Sequence, residues 1–231
     1  MKNATITALN HAMATRQPVA FAKNLSDGTE FLLPDPHAPE ALNEAGRLAL
    51  AADKSTTHVL GSESWFIEAR NPAPRLVLVG AVHIAQALAP LASMSGFEVI
   101  LIDPRQGFGN QERFPGANLV NDWPDEALNQ LKPDMRTAVV TLTHDPKLDD
   151  PALDRALHSN AFYIGALGSR KTHAARLERL SALGHQAESL QRIRGPVGLD
   201  IGSVTTPEIA LSIIAEIVAV RRGGSLGLRV K

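Results

Sequence analysis

The chain has 231 residues, 44% of them hydrophobic, and a formal net charge of −1. A chain of this length buries roughly 70–75% of the surface its unfolded form exposes, enough for one or two domains with real cores. The near-zero charge gives no overall electrostatic reason to bind nucleic acid or an anionic membrane. The absence of cysteine excludes disulfides, thiolate metal sites and a cysteine nucleophile. No apolar run approaches the ~18 residues that would span a bilayer, and Met1-Lys2-Asn3-Ala4-Thr5 lacks a secretory apolar segment. A cytoplasmic protein with neither nucleic-acid nor membrane partners is the expectation.

Residues 1–70 read as a small α+β region. A short helix is expected at residues 3–14, and a hairpin at 18–25 and 30–33 around Ser26-Asp27-Gly28-Thr29. A helix follows at 39–52, then a strand pair at 57–60 and 65–69. Asn71-Pro72-Ala73-Pro74 marks a boundary, because two prolines interrupt regular hydrogen bonding. From Arg75 to residue 231 strands alternate with helices. The strands are expected at 76–79, 98–102, 137–142 and 162–164, and the helices at 83–95, 124–131, 151–159, 170–183 and 207–222. That alternation predicts an α/β fold, a Rossmann-like parallel sheet with helices on both faces. Two N-caps are expected at Asp150 before Pro151 and at Thr206 before Pro207.

Four turns carry the chemistry. The first, Gly80-Ala81-Val82-His83, is an altered dinucleotide fingerprint in which Val82 stands at the second glycine position and Ala85 at the third. Ala85 still permits close helix packing, whereas Val82 puts a branched side chain where a pyrophosphate normally meets bare backbone. His83 is either a ligand donor or a polar residue of the first helical turn, where the dipole disfavours its charged form. Asp103 lies 23 residues after Gly80, close to the spacing of an acid that accepts from ribose hydroxyls. It could equally pair with Arg105, whose guanidinium would itself suit a phosphate.

Thr143, His144 and Asp145 run off another strand into the same crevice. No serine or cysteine nucleophile accompanies that His–Asp pair, so no residue is assigned a catalytic role. Gly168-Ser169-Arg170-Lys171 forms a glycine turn and helix start with Ser169 as N-cap. Arg170 and Lys171 there oppose the helix dipole by about 0.3–1 kcal/mol each unless an anion binds. Asp200, in the loop from Gly195 to Gly202, is either a ligand group or a carboxylate satisfied by loop amides. The eight histidines are scattered, with no pair at i, i+4, and no metal site is expected.

Together these four turns resemble the XdhC/CoxI family of accessory proteins for molybdenum hydroxylases. The likeness runs from about residue 63 to residue 222. It rests on Gly80-Ala81-Val82-His83 with Asp103 and Arg105, on Thr143-His144-Asp145 with Asp149, on Ile164 through Arg170, and on Pro196 through Gly202. It implies a chaperone that binds molybdenum cofactor (molybdopterin, in mononucleotide or dinucleotide form). The chaperone would protect the cofactor, assist its sulfuration with a cysteine desulfurase, and deliver it to an apo molybdenum hydroxylase such as xanthine dehydrogenase or carbon monoxide dehydrogenase. Two departures stand out: the cysteine-bearing N-terminal segment of the family is not recognisable in residues 1–70, and Val82 replaces the more usual glycine. A rival reading is an NAD(P)-dependent oxidoreductase with His144 as proton donor, and a third is a nucleotide-sensing Rossmann module. The apolar run Ile209 through Val220 carries more hydrophobic surface than one sheet face needs, which leaves surface for a homodimer.

Overall fold

The computed structural model describes residues 3–105 and 107–224, so the outer limits expected at residues 1 and 231 lie outside the described residues. The chain forms two compact units, Met1–Pro72 and Ala73–Lys231. The first contains α1 (Asn3–Ala14), β1 (Val19–Asn24), β2 (Glu30–Leu33), α2 (Glu40–Ala52), β3 (Thr56–Leu60) and β4 (Glu63–Arg70). Its strands form an antiparallel sheet in the order β2-β1-β4-β3. Trp65 and Ile67 on β4 are buried while Phe66 between them is exposed, the alternation of a sheet covered on one face. The cover is α2, whose Leu42, Ala45 and Ala49 join Ala20, Leu33, Trp65 and Ile67 in one core. The helix lies so close that a Cβ on Gly46 would meet Leu33 Cδ1 at 2.7 Å.

The second unit runs β5 (Arg75–Val79), α3 (His83–Met94), β6 (Glu98–Ile102), β7 (Asn118–Val120), α4 (Pro124–Leu131), β8 (Thr137–Thr141), α5 (Pro146–Leu157), β9 (Tyr163–Ala166), α6 (Arg170–Ala182), α7 (Ala187–Leu190), β10 (Ile193–Arg194) and α8 (Thr206–Arg222). All pairings are parallel, in the order β10-β9-β8-β5-β6-β7. Every residue of β5, β8 and β9 is buried, because helices cover both faces, as expected of such a sheet. Leu76, Leu78, Ala85, Leu88, Ile213 and Ile217 form the core on the α3 and α8 side. Val77, Val79, Leu128, Leu153 and Leu180 form the other, beneath α4, α5 and α6.

The chain moves outward from β5 through β6 to β7, then returns to place β8 on the opposite side of β5. This reversal opens a crevice at the carboxyl ends of β5 and β8, the switch point where open α/β sheets take ligands. Register keeps those ends level: Val79 pairs with both Ile102 and Thr141, and Thr141 pairs with Ala166.

Two helix starts differ from the sequence expectation. Helix α5 begins at Pro146 with Asp145 as N-cap, its carboxylate accepting from the Lys147 amide at 3.0 Å. Asp150 and Pro151 lie inside the helix, and Asp150 pairs with Arg179. The earlier start is preferred because it brings Asp149 back onto the Thr143 turn, at the cost of the one backbone bond that Pro151 cannot donate. Helix α8 is capped by Thr205, which completes a capping box with Glu208 three residues on; Thr206 has no acid at that spacing. The strand expected at 162–164 lies at Tyr163–Ala166. The apolar run on α8 is spent largely within its own unit: Ala210, Ile213, Ile214 and Ile217 are buried, while Leu211 is 51% exposed.

Candidate functional site

The Gly80 turn and the Thr143 turn lean directly on each other. Gly80 has φ +110°, and a Cβ built there would lie 2.3 Å from Thr143 Cγ2, so close approach and backbone angle both demand glycine. Next to it the Ala81 amide donates to Asp103 Oδ2 at 2.8 Å. The Asp103 side chain is 1% exposed and also accepts from the Arg105 amide at 3.0 Å, its Nε at 2.9 Å and its Nη2 at 2.7 Å. Burial pushes this carboxyl up, but the Arg105 hydrogen bonds and the Ala81 amide outweigh burial and hold it below the usual range. Of the two readings open in the sequence, the structure shows the ion pair. Asp103 knits the end of β6 to the Gly80 turn, and the outward group is Arg105, 40% exposed and 4.3 Å from the centre of the Phe108 ring. The hydrogen bond to Asp103 raises the Arg105 pKa, and the charge of Asp145 adds to it, which places the Thr143 turn within electrostatic reach of Arg105.

Val82 is the N-cap of α3 and makes no side-chain cap bond; it is half-buried and packs against the core. Its branched side chain therefore turns toward the core, and the first-turn amides of α3 are left without a side-chain acceptor from the cap. His83 is exposed in that first turn.

The Thr143 turn is organised from beneath by Asp149. That carboxylate accepts from Thr143 Oγ1 at 2.6 Å and from the His144 amide at 3.1 Å, while Thr143 Oγ1 accepts from the Asp145 amide at 3.1 Å. His144 is exposed and held at φ +62°. Behind Asp149 stands Arg176 of α6, its Nη2 3.6 Å from Asp149 Oδ2 with both side chains 2% exposed. Arg176 Nη2 also donates to the Leu167 carbonyl at 2.8 Å, so one buried guanidinium joins the turn after β8 to the turn after β9. Burial raises the Asp149 pKa despite those bonds and the facing arginine, and burial lowers that of Arg176.

Beyond Leu167 the chain turns through Gly168, φ +141°, into α6. Ser169 caps the helix as expected, its Oγ accepting from the Thr172 amide at 3.1 Å. Arg170 and Lys171 are exposed on the following turn, and no hydrogen bond or ion pair holds either among the described residues. The loop from Gly195 to Gly202 is fixed by Glu216 of α8: its Oε2 accepts from the Gly198 amide at 2.8 Å and the Tyr163 hydroxyl at 2.5 Å, and Arg194 lies 3.3 Å from Oε1. Asp200 is exposed on that loop and is not brought into contact with the other turns.

The structure thus gathers Gly80, Ala81, Asp103, Arg105, Thr143 and Asp145 at the switch point, with Gly168 through Lys171 one strand further along. The supporting groups Arg176 and Glu216 were not foreseen. Arg176 is one of several ions on α6 and gives no periodic signal, whereas Glu216 is the one charge within the apolar run 209–220, a signal of an acid turned inward onto partners.

This is the architecture of a Rossmann-type ligand-binding domain, with the crevice at the position where that class binds its ligands. The model of the XdhC Rossmann domain matches residues 76–217, and the chain belongs to the XdhC family. It is 35% identical over 150 residues to the molybdenum cofactor insertion chaperone PaoD of Escherichia coli, covering 65% of this chain and 41% of that protein. It is 34% identical over 166 residues to a probable xanthine dehydrogenase subunit of Bacillus subtilis, covering 71% and 48%. The uncharacterized protein YqeB of Escherichia coli is 33% identical over 192 residues, 80% of this chain and 35% of that one. The chain therefore spans about a third to a half of the curated relatives it matches. A crystal structure from Bacillus halodurans, named as a xanthine dehydrogenase, superposes with a TM-score of 0.73 at 21% identity over 95% of this chain and 67% of that one, a likeness of fold. No helix among the described residues is long and apolar enough to cross a membrane.

Proposed function

We propose that the crevice at the β5/β8 switch point binds the molybdenum cofactor, and that the protein assists its sulfuration and insertion into an apo molybdenum hydroxylase. The name of the PaoD relative supports this reading. The observation that carries it is the uncapped α3 N-terminus beside the Gly80 and Thr143 turns, with Arg105, Arg170 and Lys171 exposed along the same sheet edge. Free first-turn amides and cations are what a phosphate or pyrophosphate requires.

The residues fit such a group. Neighbouring strands lie about 4.8 Å apart, so the carboxyl ends of β6, β5, β8 and β9 span about 14 Å, with Arg105 just beyond one end of that row and Arg170 just beyond the other. Arg170 and Lys171 would hold the phosphate end and Arg105 the opposite end, with His83 and His144 as donors between them. The bound cofactor supplies a molybdenum centre for the chemistry of the target enzyme. This chain's residues bind it, orient it and shield it. With no cysteine among the 231 residues, the sulfur comes from a partner, a cysteine desulfurase.

The test is anaerobic gel filtration of the protein mixed with cofactor released from a molybdenum hydroxylase, followed by fluorescence of the oxidised pterin. Co-elution is expected, and it should fall at least about tenfold in Arg170→Ala/Lys171→Ala, since each charge-assisted hydrogen bond contributes roughly 1.5–3 kcal/mol. Absent retention, equal retention by the variant, or a saturable response to NAD(P)H in its place would overturn the proposal.

A further inference from the structure

At the far end of α5 three potential metal ligands converge. Asp154 lies in the last turn of α5, His158 is its C-cap, and His185 follows α6. His185 Nε2 is 2.8 Å from Asp154 Oδ1, and His158 Nδ1 is 3.6 Å from the same oxygen. The two imidazoles lie 4.9 Å apart between ring centres, and one ligand atom from each of the three residues falls within 4.8 Å of the other two. The sequence places Asp154 and His158 one helical turn apart on α5; His185 lies 27 positions beyond His158, and only the parallel packing of α6 beside α5 brings it to them.

We propose that Asp154, His158 and His185 form a binding site for a divalent transition metal, with Zn(II) the best match. Two imidazoles and one carboxylate are borderline ligands that suit zinc, leaving the fourth tetrahedral position to water. Metal–ligand distances of about 2.0–2.2 Å place tetrahedral ligand atoms about 3.3 Å apart. The His185–Asp154 separation has to open by about 0.5 Å on that geometry, while His158 Nδ1 is already near it. His185 is 6% and Asp154 23% exposed, so the inner pair is fixed and largely desolvated. His158 is 65% exposed and free to swing, with its Nδ1 resting 2.8 Å from the Asp154 carbonyl. Arg155 Nε stands 3.6 Å from Asp154 Oδ2, which leaves Oδ1 as the ligating oxygen. The His185–Asp154 hydrogen bond and the bond from His158 Nδ1 to the Asp154 carbonyl hold the three groups together without a metal, and metal binding requires His158 to give up the second of these.

A helix of 12 residues is about 18 Å long, so this site is remote from the crevice at the other end of α5. A metal here clips together the C-terminal ends of the two helices that carry Asp149 and Arg176. It would stiffen the scaffold rather than take part in the chemistry of the crevice.

The experiment uses the full chain stripped with chelator, titrated with Zn(II) against a chromophoric competitor and, separately, with Co(II). One Zn(II) per chain is expected, together with the strong visible absorption of four-coordinate Co(II). A melting temperature higher by about 5–10 °C at Zn(II) a hundredfold above Kd is also expected. His158→Ala removes an exposed ligand with little risk to folding. It should weaken Zn(II) binding by at least about tenfold, the loss that changing an outer partner of a metal ligand already produces, and should abolish the Co(II) band. His185→Gln should do the same, His11→Ala should do neither, and cofactor retention should be unchanged in His158→Ala. Absence of stoichiometric Zn(II) binding, an octahedral Co(II) spectrum alone, or binding undiminished in His158→Ala would overturn the proposal.

Discussion

Arg176→Met tests how the crevice is held from behind. The guanidinium and the Asp149 carboxylate face each other at 3.6 Å with both side chains 2% exposed, and removing one partner of such a pair costs about 3–5 kcal/mol. Asp149 keeps its bonds from Thr143 and His144, which places the expected loss near ~3 kcal/mol at neutral pH. At roughly 2–4 °C per kcal/mol for a domain of this size, that is a fall in Tm of about 6–12 °C. The loss should depend on pH. Burial raises the folded-state pKa of Asp149 above its unfolded value, so the native state binds the proton more tightly. That contribution is fully present below the unfolded pKa and is lost as pH rises through the folded one. Removing Arg176 takes away an attraction that opposes burial and lifts the folded pKa further. The deficit against the parent protein should therefore be smallest near pH 4 and largest at pH 7 and above, as read by urea unfolding across that range. Asp149→Asn added to Arg176→Met should restore much of the loss at neutral pH, because no buried charge is left unpaired. A deficit below about 1 kcal/mol, less than one lost hydrogen bond to a charged group, or one equal at both ends of the pH range, would refute the reasoning.

Gly80→Ala should destabilise the second unit by about 2 kcal/mol or more through left-handed strain alone, with the 2.3 Å approach to Thr143 Cγ2 adding to it. Thr143→Ser removes that methyl but keeps the hydroxyl on Asp149, so the double variant should melt above Gly80→Ala; simple additivity in a double-mutant cycle would count against contact between the turns. For Arg105→Ala the expected cost at neutral pH is only about 1 kcal/mol, since the guanidinium is half exposed and screened. The Asp103 pKa is depressed in the folded protein, so its contribution is present above the unfolded pKa and lost as pH falls through the folded one. Without Arg105, burial is opposed only by amides, and acid unfolding followed by near-ultraviolet circular dichroism should begin at higher pH; an unshifted midpoint would disprove the coupling. Glu216→Ala strips the acceptor from the Tyr163 hydroxyl and the Gly198 amide. A loss of about 2–3 kcal/mol should be accompanied by faster hydrogen exchange at Gly198 and Leu199, and unchanged exchange there would remove Glu216 as the anchor of that loop.

The sheet was readable because its strands are unbroken apolar runs bounded by breakers. Residues 98–102 lie between Gly96 and Pro104, and the helix 124–131 starts at a proline; both ends of these two elements match expectation. Strands β7 and β10 and helix α7 are two to four residues long, too short for any periodicity to register. The start of α5 was ambiguous for a definite reason: Asp145-Pro146 and Asp150-Pro151 carry the same cap signal five residues apart. Only the tertiary demand for Asp149 beneath the Thr143 turn decides between them. The turns at Gly80, Thr143 and Gly168 were likewise legible as turns, but sequence does not say which way an acid points, and for Asp103 that decides its chemistry.

The direction of those acids gives the crevice its electrical character. Asp103, Asp149 and Glu216 are all buried and spent on amides, hydroxyls and arginines of the protein itself, and Asp145 is spent on capping α5. On the four turns, Asp200 is the acid left exposed without such a bond among the described residues, whereas Arg170 and Lys171 face solvent without an ion pair among them, and Arg105 shares its charge with Asp103. A chain with formal net charge −1 thereby presents a locally cationic edge. The nicotinamide pattern of an acid on ribose fits poorly here, since the acid at that position is already paired. A ligand dominated by phosphate fits better, and its binding should weaken steeply with salt because exposed cations are screened over about 8–10 Å at physiological ionic strength. Retention of the pterin cofactor that stayed constant from about 50 mM to about 500 mM salt, a range that brackets physiological ionic strength, would show that stacking or shape, not this edge of cations, holds the ligand.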